Sequence, residues 1–145
     1  MRLISLFVAL LCLSPLLRAE EWASRQKVGY NFEDTRDAVV MAIEGRGLVI
    51  NYTSHIADML ARTGADIGAS KKIFERAEII EFCSAKLSRQ MMEADPHNIV
   101  LCPFSISIYT LPGEQGTWIA YRKPQGQTAA PVNALLRDIT SEAAR

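Results

Sequence analysis

Two histidines and three cysteines carry the most versatile chemistry in this 145-residue chain. His55 follows Thr53-Ser54 and precedes an apolar run at helical spacing, which predicts a place in the first turn of a helix. The positive end of a helix dipole favours the uncharged imidazole, and an uncharged imidazole is a ligand. Met59 lies four residues on, one turn along the same side, so the pair could present a nitrogen and a thioether to one cofactor. Haem iron suits such donors in an exported protein, and without a Cys-x-x-Cys-His run the haem would be held non-covalently. The competing reading makes His55 a solvated first-turn residue and Met59 ordinary packing.

Cys12 lies in an apolar leading segment, which leaves Cys83 and Cys102 for the folded domain. Three readings stay open for them. A disulfide would close a loop of about 20 residues, worth on the order of 3 kcal/mol in the chain-entropy model. It needs Cα atoms within roughly 4.4 to 6.8 Å, which a parallel crossover between the two strands would prevent and an antiparallel arrangement would allow. Two inert buried thiols are the second reading. The third is a redox pair, with Cys83 made reactive by the helix N-terminus after it and by Lys86, and Cys102 as its resolving partner. His97 sits in the turn sequence Asp95-Pro96-His97-Asn98 and is expected at the surface. Glu78 and Glu81 fall on opposite faces of a predicted strand and make no catalytic carboxylate pair. A phosphate loop, a metalloprotease helix and a Gly-x-Ser-x-Gly elbow are all missing, which points away from a conventional enzyme.

The elements that must position these residues begin after a leader. Of the first 19 residues 14 are apolar, behind a single Arg2 and ahead of Ser14-Pro15 and Leu17-Arg18-Ala19. That is the pattern of a signal peptide over residues 1–19, cleaved after Ala19, and it predicts a periplasmic or secreted protein. The apolar stretch is too short for a span once Pro15 and Arg18 interrupt it, so no membrane span is expected after cleavage. The 126 residues left by removing those 19 suit one core. The whole chain balances 16 basic against 16 acidic side chains, which excludes a nucleic-acid binder by charge.

Residues 20–26 read as an N-terminal arm, and Lys27 to Phe32 as a half-buried strand. A helix capped by Thr35 follows and ends at Gly45-Arg46-Gly47. Leu48 to Thr53 is predicted as a strand, Ser54 to Gly64 as a helix, and Ala77 to Phe82 as a strand. Ser84 caps a helix bearing Leu87, Met91 and Ala94, which Asp95-Pro96 ends. Ile99 to Thr110 and Thr117 to Tyr121 form a hairpin about Pro112-Gly113, and Val132 to Ala144 a last amphipathic helix. This order predicts an α/β (α+β) two-layer sandwich with a mixed β-sheet and helices mainly on one face, its C-terminal hairpin followed by a helix. Residues 27–124 are the domain, and 125–145 a linker with that helix. The other face needs cover, and a homodimer or larger homo-oligomer is the commonest way to provide it.

The runs Ala77-Glu78-Ile79-Ile80-Glu81-Phe82-Cys83-Ser84-Ala85, Met91 to Ile99, Cys102-Pro103-Phe104 and Ile108-Tyr109 resemble the domain-of-unknown-function family 302. Phe32-Glu33-Asp34-Thr35 and Gly47-Leu48-Val49-Ile50 extend the resemblance over Val28 to Pro124. It implies a small α/β protein that pairs into dimers or larger assemblies and is often exported, and it implies no settled activity. The chain departs from the commoner family pattern at Cys83-Ser84-Ala85 and at Cys102-Pro103-Phe104. The leading functional expectation is an exported, non-catalytic binding protein, homo-oligomeric, holding haem or another small ligand through His55. The alternatives are a thiol-dependent redox protein using Cys83 and Cys102, and a structural subunit of a periplasmic assembly.

Overall fold

Residues 22–126 and 128–145 are described in a computed structural model of the chain; the expected signal peptide, with Cys12 and the cleavage position at Ala19, lies outside them. The strongest alternation, Phe104 to Thr110, forms strand β4 (Phe104–Thr110), whose Phe104, Ile106 and Ile108 are buried while Ser105, Ser107 and Tyr109 face the other way. Around it the chain builds β1 (Ala23–Val28), α1 (Phe32–Glu44), β2 (Val49–His55), α2 (Ile56–Gly64), β3 (Arg76–Cys83) and α3 (Ala85–Ala94) before β4. After it come β5 (Thr117–Arg122) and α4 (Ala130–Ala143). The strands form one sheet in the order β1-β5-β4-β3-β2.

The two-layer α/β arrangement is as expected, with the hairpin β4–β5 leading into α4. The sheet is antiparallel at every neighbouring pair, however, where a mixed one was predicted. The registers give the reason. His55 pairs with Glu78 and Phe82 with Phe104, so each strand starts beside the end of the one before it. α2 and α3 are therefore excursions that bring the chain back to the end it left, whereas a parallel pair needs a helix that crosses the sheet.

One face carries the core. Val39 and Ile43 of α1 and Val132, Leu136 and Ile139 of α4 pack with Ile80, Phe82, Ile106, Ile108 and Ile119 of the sheet, all of them buried. Phe82 and Phe104, a cross-strand pair, meet edge to face with ring centroids 6.0 Å apart, a favoured aromatic geometry. The helix expected behind a linker thus supplies part of the central core.

Several local boundaries differ from the sequence reading. β1 occupies Ala23–Val28, beginning inside the stretch expected as an arm and ending in the expected strand, because its six residues pair with β5; the alternation predicted as far as Phe32 stops at Val28. Phe32 is instead the first residue of α1, and Asn31 caps that helix in place of Thr35, its side chain accepting from the Asp34 N–H at 2.8 Å. Thr35 is buried in the first turn and donates its hydroxyl to the Asn31 carbonyl. Ile99 to Leu101, predicted as strand, belong to a 3₁₀ turn over Pro96–Leu101. The turn between β4 and β5 depends on Gly116 (φ +81°): a Cβ there would lie 2.4 Å from the Val28 carbonyl oxygen, nearer than non-bonded atoms approach and in a region side chains avoid.

Candidate functional site

β2 and β3 bring His55 to a buried carboxylate. Glu78 alternates with Ile80 and Phe82 on the core-facing side of β3, so its side chain is only 8% exposed. A charge on that face must be compensated. His55, its cross-strand neighbour, places Nδ1 3.4 Å from Glu78 Oε1. Arg36 on α1, held above the ordinary guanidinium value first by its hydrogen bond to Asp37, also lies in the field of Glu78. Arg76, two residues from Glu78, pairs with Glu33 of α1 and stacks its guanidinium 4.5 Å from the Phe32 ring centroid. The hydrogen bonds that the Glu33 carboxylate accepts, from its own backbone first and then from Arg76, hold that carboxyl below its usual value.

His55 is the last residue of β2 and the N-cap of α2, with φ −89° and ψ 79°, and makes no side-chain cap bond. It does not occupy the first helical turn, and its ring turns toward Glu78. A carboxylate opposite Nδ1 orients an imidazole and leaves Nε2 as the free donor atom, the arrangement common behind metal-binding histidines. Among the described residues Nε2 makes no hydrogen bond, and the ring is 60% exposed. It lines an open cavity of about 270 Å³ with Ala57, Asp58, Arg76, Ala77 and Glu78. A smaller apolar recess, lined by Ile56, Phe74, Ile79 and Tyr109, shares Ala77 and Glu78 with it.

Met59 is not among the residues lining the His55 cavity. It is about two-fifths exposed on α2, a helix in which no residue is buried, and its sulfur lies 3.9 Å from the Thr63 hydroxyl. No group of three or more His, Cys, Asp or Glu side chains that could hold a metal ion occurs among the described residues.

The two cysteines are free and half-buried. The Cys83 sulfur accepts from Asn51 Nδ2 at 3.4 Å, where the register of β2 shifts, and the Cys102 sulfur lies 3.2 Å from the Ser88 hydroxyl on α3. Antiparallel pairing carries both toward the same end of the sheet, since Phe82 faces Phe104, yet each thiol has its own partner. No hydrogen bond joins either histidine to either cysteine among the described residues, and His97 is exposed in its turn. Sequence reasoning missed Glu78 as the partner of His55. The available signal was its alternation with Ile80 and Phe82, which puts a carboxylate on the core face and calls for a hydrogen-bond donor beside it.

No helix among the described residues is long and apolar enough to cross a membrane. No curated protein matches the chain by sequence. The crystal structure of an uncharacterized conserved DUF302 protein from Bacillus stearothermophilus superposes with a TM-score of 0.70, over 86% of this chain and 98% of that one. At 14% sequence identity this is a likeness of fold. The family model for the domain of unknown function DUF302 matches residues 24–145, from the first edge strand through the C-terminal helix, and the chain belongs to the DUF302 family.

Proposed function

We propose that this is an exported, non-catalytic binding protein that takes a small ligand on Nε2 of His55, with haem iron as the leading candidate. The observation that carries the reading is the buried Glu78 carboxylate 3.4 Å from Nδ1, which orients the ring and directs its second nitrogen to an open cavity. A haem is larger than that cavity, so only its edge and iron would sit at His55, against the apolar recess beside it. Export rests on the apolar leader in residues 1–19 and places the protein in the periplasm or outside the cell. The reading includes a homodimer or larger homo-oligomer, supported by helices that pack their core on one side of the sheet.

The test is a titration of haemin into the purified protein, followed by absorption spectra before and after dithionite. The expected result is a Soret band that shifts on reduction and a dissociation constant at least tenfold weaker in His55→Ala, about 1.4 kcal/mol. Glu78→Gln, which keeps the shape and removes the charge, is expected to shift the band with a smaller loss of affinity. No Soret band on titration, or one that His55→Ala leaves unchanged, overturns the reading.

A further inference from the structure

At the end of the sheet where β4 begins and β5 leaves, a cleft of about 230 Å³ is lined by two side chains of opposite charge. Glu81 alternates with Ile80 and Phe82 on β3, and Ser105 with Phe104 and Ile106 on β4, so both leave the sheet on the side away from the core. The two are cross-strand neighbours. Arg122, the last residue of β5, comes to the same cleft from the other side of β4. Ile56 of α2 and Phe74 lie against this side of the sheet at Ile79, Ser107 and Tyr109. The cleft is beyond them, toward the start of β4. Among the described residues neither the Glu81 carboxylate nor the Arg122 guanidinium has a hydrogen-bond or ion-pair partner, although Glu81 is half-buried. Much of the remaining wall is apolar, with Val100 (81% exposed), Pro103, and Leu136 from α4.

Each charge turns away ligands that the other alone would admit. A phosphate or a simple carboxylate suits Arg122 but meets Glu81, and a cation suits Glu81 but meets Arg122. An uncharged apolar molecule leaves both without a partner. A molecule carrying both signs close together answers both. We propose that the cleft binds a free α-amino acid with an apolar side chain. Its carboxylate accepts the paired N–H groups of Arg122, and its ammonium donates to Glu81 and to the Ser105 hydroxyl beside it. Its side chain lies against Val100, Pro103 and Leu136. The size agrees, because drug-sized ligands occupy roughly 300–1,000 Å³ and a cleft below that range suits one amino acid rather than a peptide. The cleft shares no lining residue with the His55 cavity, so this is a second site and does not rest on the first.

Isothermal titration calorimetry of the purified protein with L-alanine, L-valine and L-leucine tests the assignment. The tightest binder is then compared with its N-acetyl derivative, which has lost the ammonium, and with its amide, which has lost the carboxylate. At least one of the three amino acids is expected to bind, and each derivative at least tenfold more weakly. Glu81→Gln and Arg122→Gln separate the two ends. Glu81→Gln is expected to weaken the amino acid at least tenfold while leaving its N-acetyl derivative unchanged, and Arg122→Gln to weaken it equally while leaving the amide unchanged. A purely structural role would not match each side chain to its own end of the ligand, and circular dichroism of both variants confirms that they are folded. No binding of any of the three overturns the inference. So do derivatives that bind as tightly as the parent, or affinities that both substitutions leave as they were. None of these results bears on haem at His55.

Discussion

At the residue scale the structure depends on charges that find partners from distant segments. Glu114, in the turn after β4, accepts from Lys27 Nζ of β1 at 2.9 Å and from the Trp118 indole at 3.4 Å. Those two hydrogen bonds, the lysine's first, hold its carboxyl below the usual carboxylate range. A carboxyl lowered in the folded state adds stability that is present above its unfolded value and is lost as pH falls through the folded one. Because the group is on the surface, salt screens the effect. A carboxyl-carbon NMR titration should find Glu114 titrating below an unstructured glutamate, and Lys27→Met should return the midpoint toward the ordinary value. An ordinary midpoint in the parent protein would show that the pair does not persist in solution. The His55–Glu78 pair differs in kind, because one partner is buried and the loss of the other strands a charge on the core face.

At the element scale, α1 shows how a helix start is chosen. Asn31 and Thr35 are both acceptable caps, and the choice between them falls to Phe32, which is buried in the core and has to lie inside the helix to reach it. Asn31→Ala is therefore expected to cost about 1 kcal/mol in urea unfolding, with Asn31→Asp or Asn31→Ser recovering most of it. No change in midpoint would mean that the first turn is held by packing alone. α2 is the contrasting case. Its apolar residues have helical spacing, yet none is buried, so its position depends on the β2–β3 pairing at its base and on the loop after it. Between α2 and that loop is an apolar cavity of about 490 Å³, lined by Leu60, Ala61, Ile67, Ile73 and Phe74 among others.

At the scale of the molecule a single core joins β1, β3, β4 and β5 to α1, α3 and α4, and the Phe82–Phe104 contact lies in it. Phe82→Ala should cost 3–5 kcal/mol, a large share of the roughly 5–15 kcal/mol that holds a domain of this size. Met41→Ala, at a side chain 67% exposed on α1, should change stability by no more than about 0.5 kcal/mol. Thermal unfolding of both compared with the parent checks the pair, and equal losses would place the core elsewhere. The core lies on one side of the sheet, and on the other side Ile56 of α2 and Phe74 lie against Ile79 and Tyr109, the Phe74 and Tyr109 rings meeting edge to face at 5.6 Å.

Alternation in Phe104 to Thr110, glycines after the first helix, serine before the third and the hairpin turn at Pro112-Gly113 are local signals, and local signals read correctly because they act through neighbouring residues. They were enough for a two-layer α/β protein ending in a hairpin and a helix, and for singling out His55, Cys83 and Cys102. Strand direction was beyond them, since a helix between two strands looks alike in sequence whether it crosses the sheet or doubles back. Only the tertiary structure decided that β2, β3 and β4 run antiparallel. That one fact sets Glu78 opposite His55 and Phe82 opposite Phe104. Partners some 20 to 40 residues apart in the chain meet through backbone register, a property that no window of sequence contains.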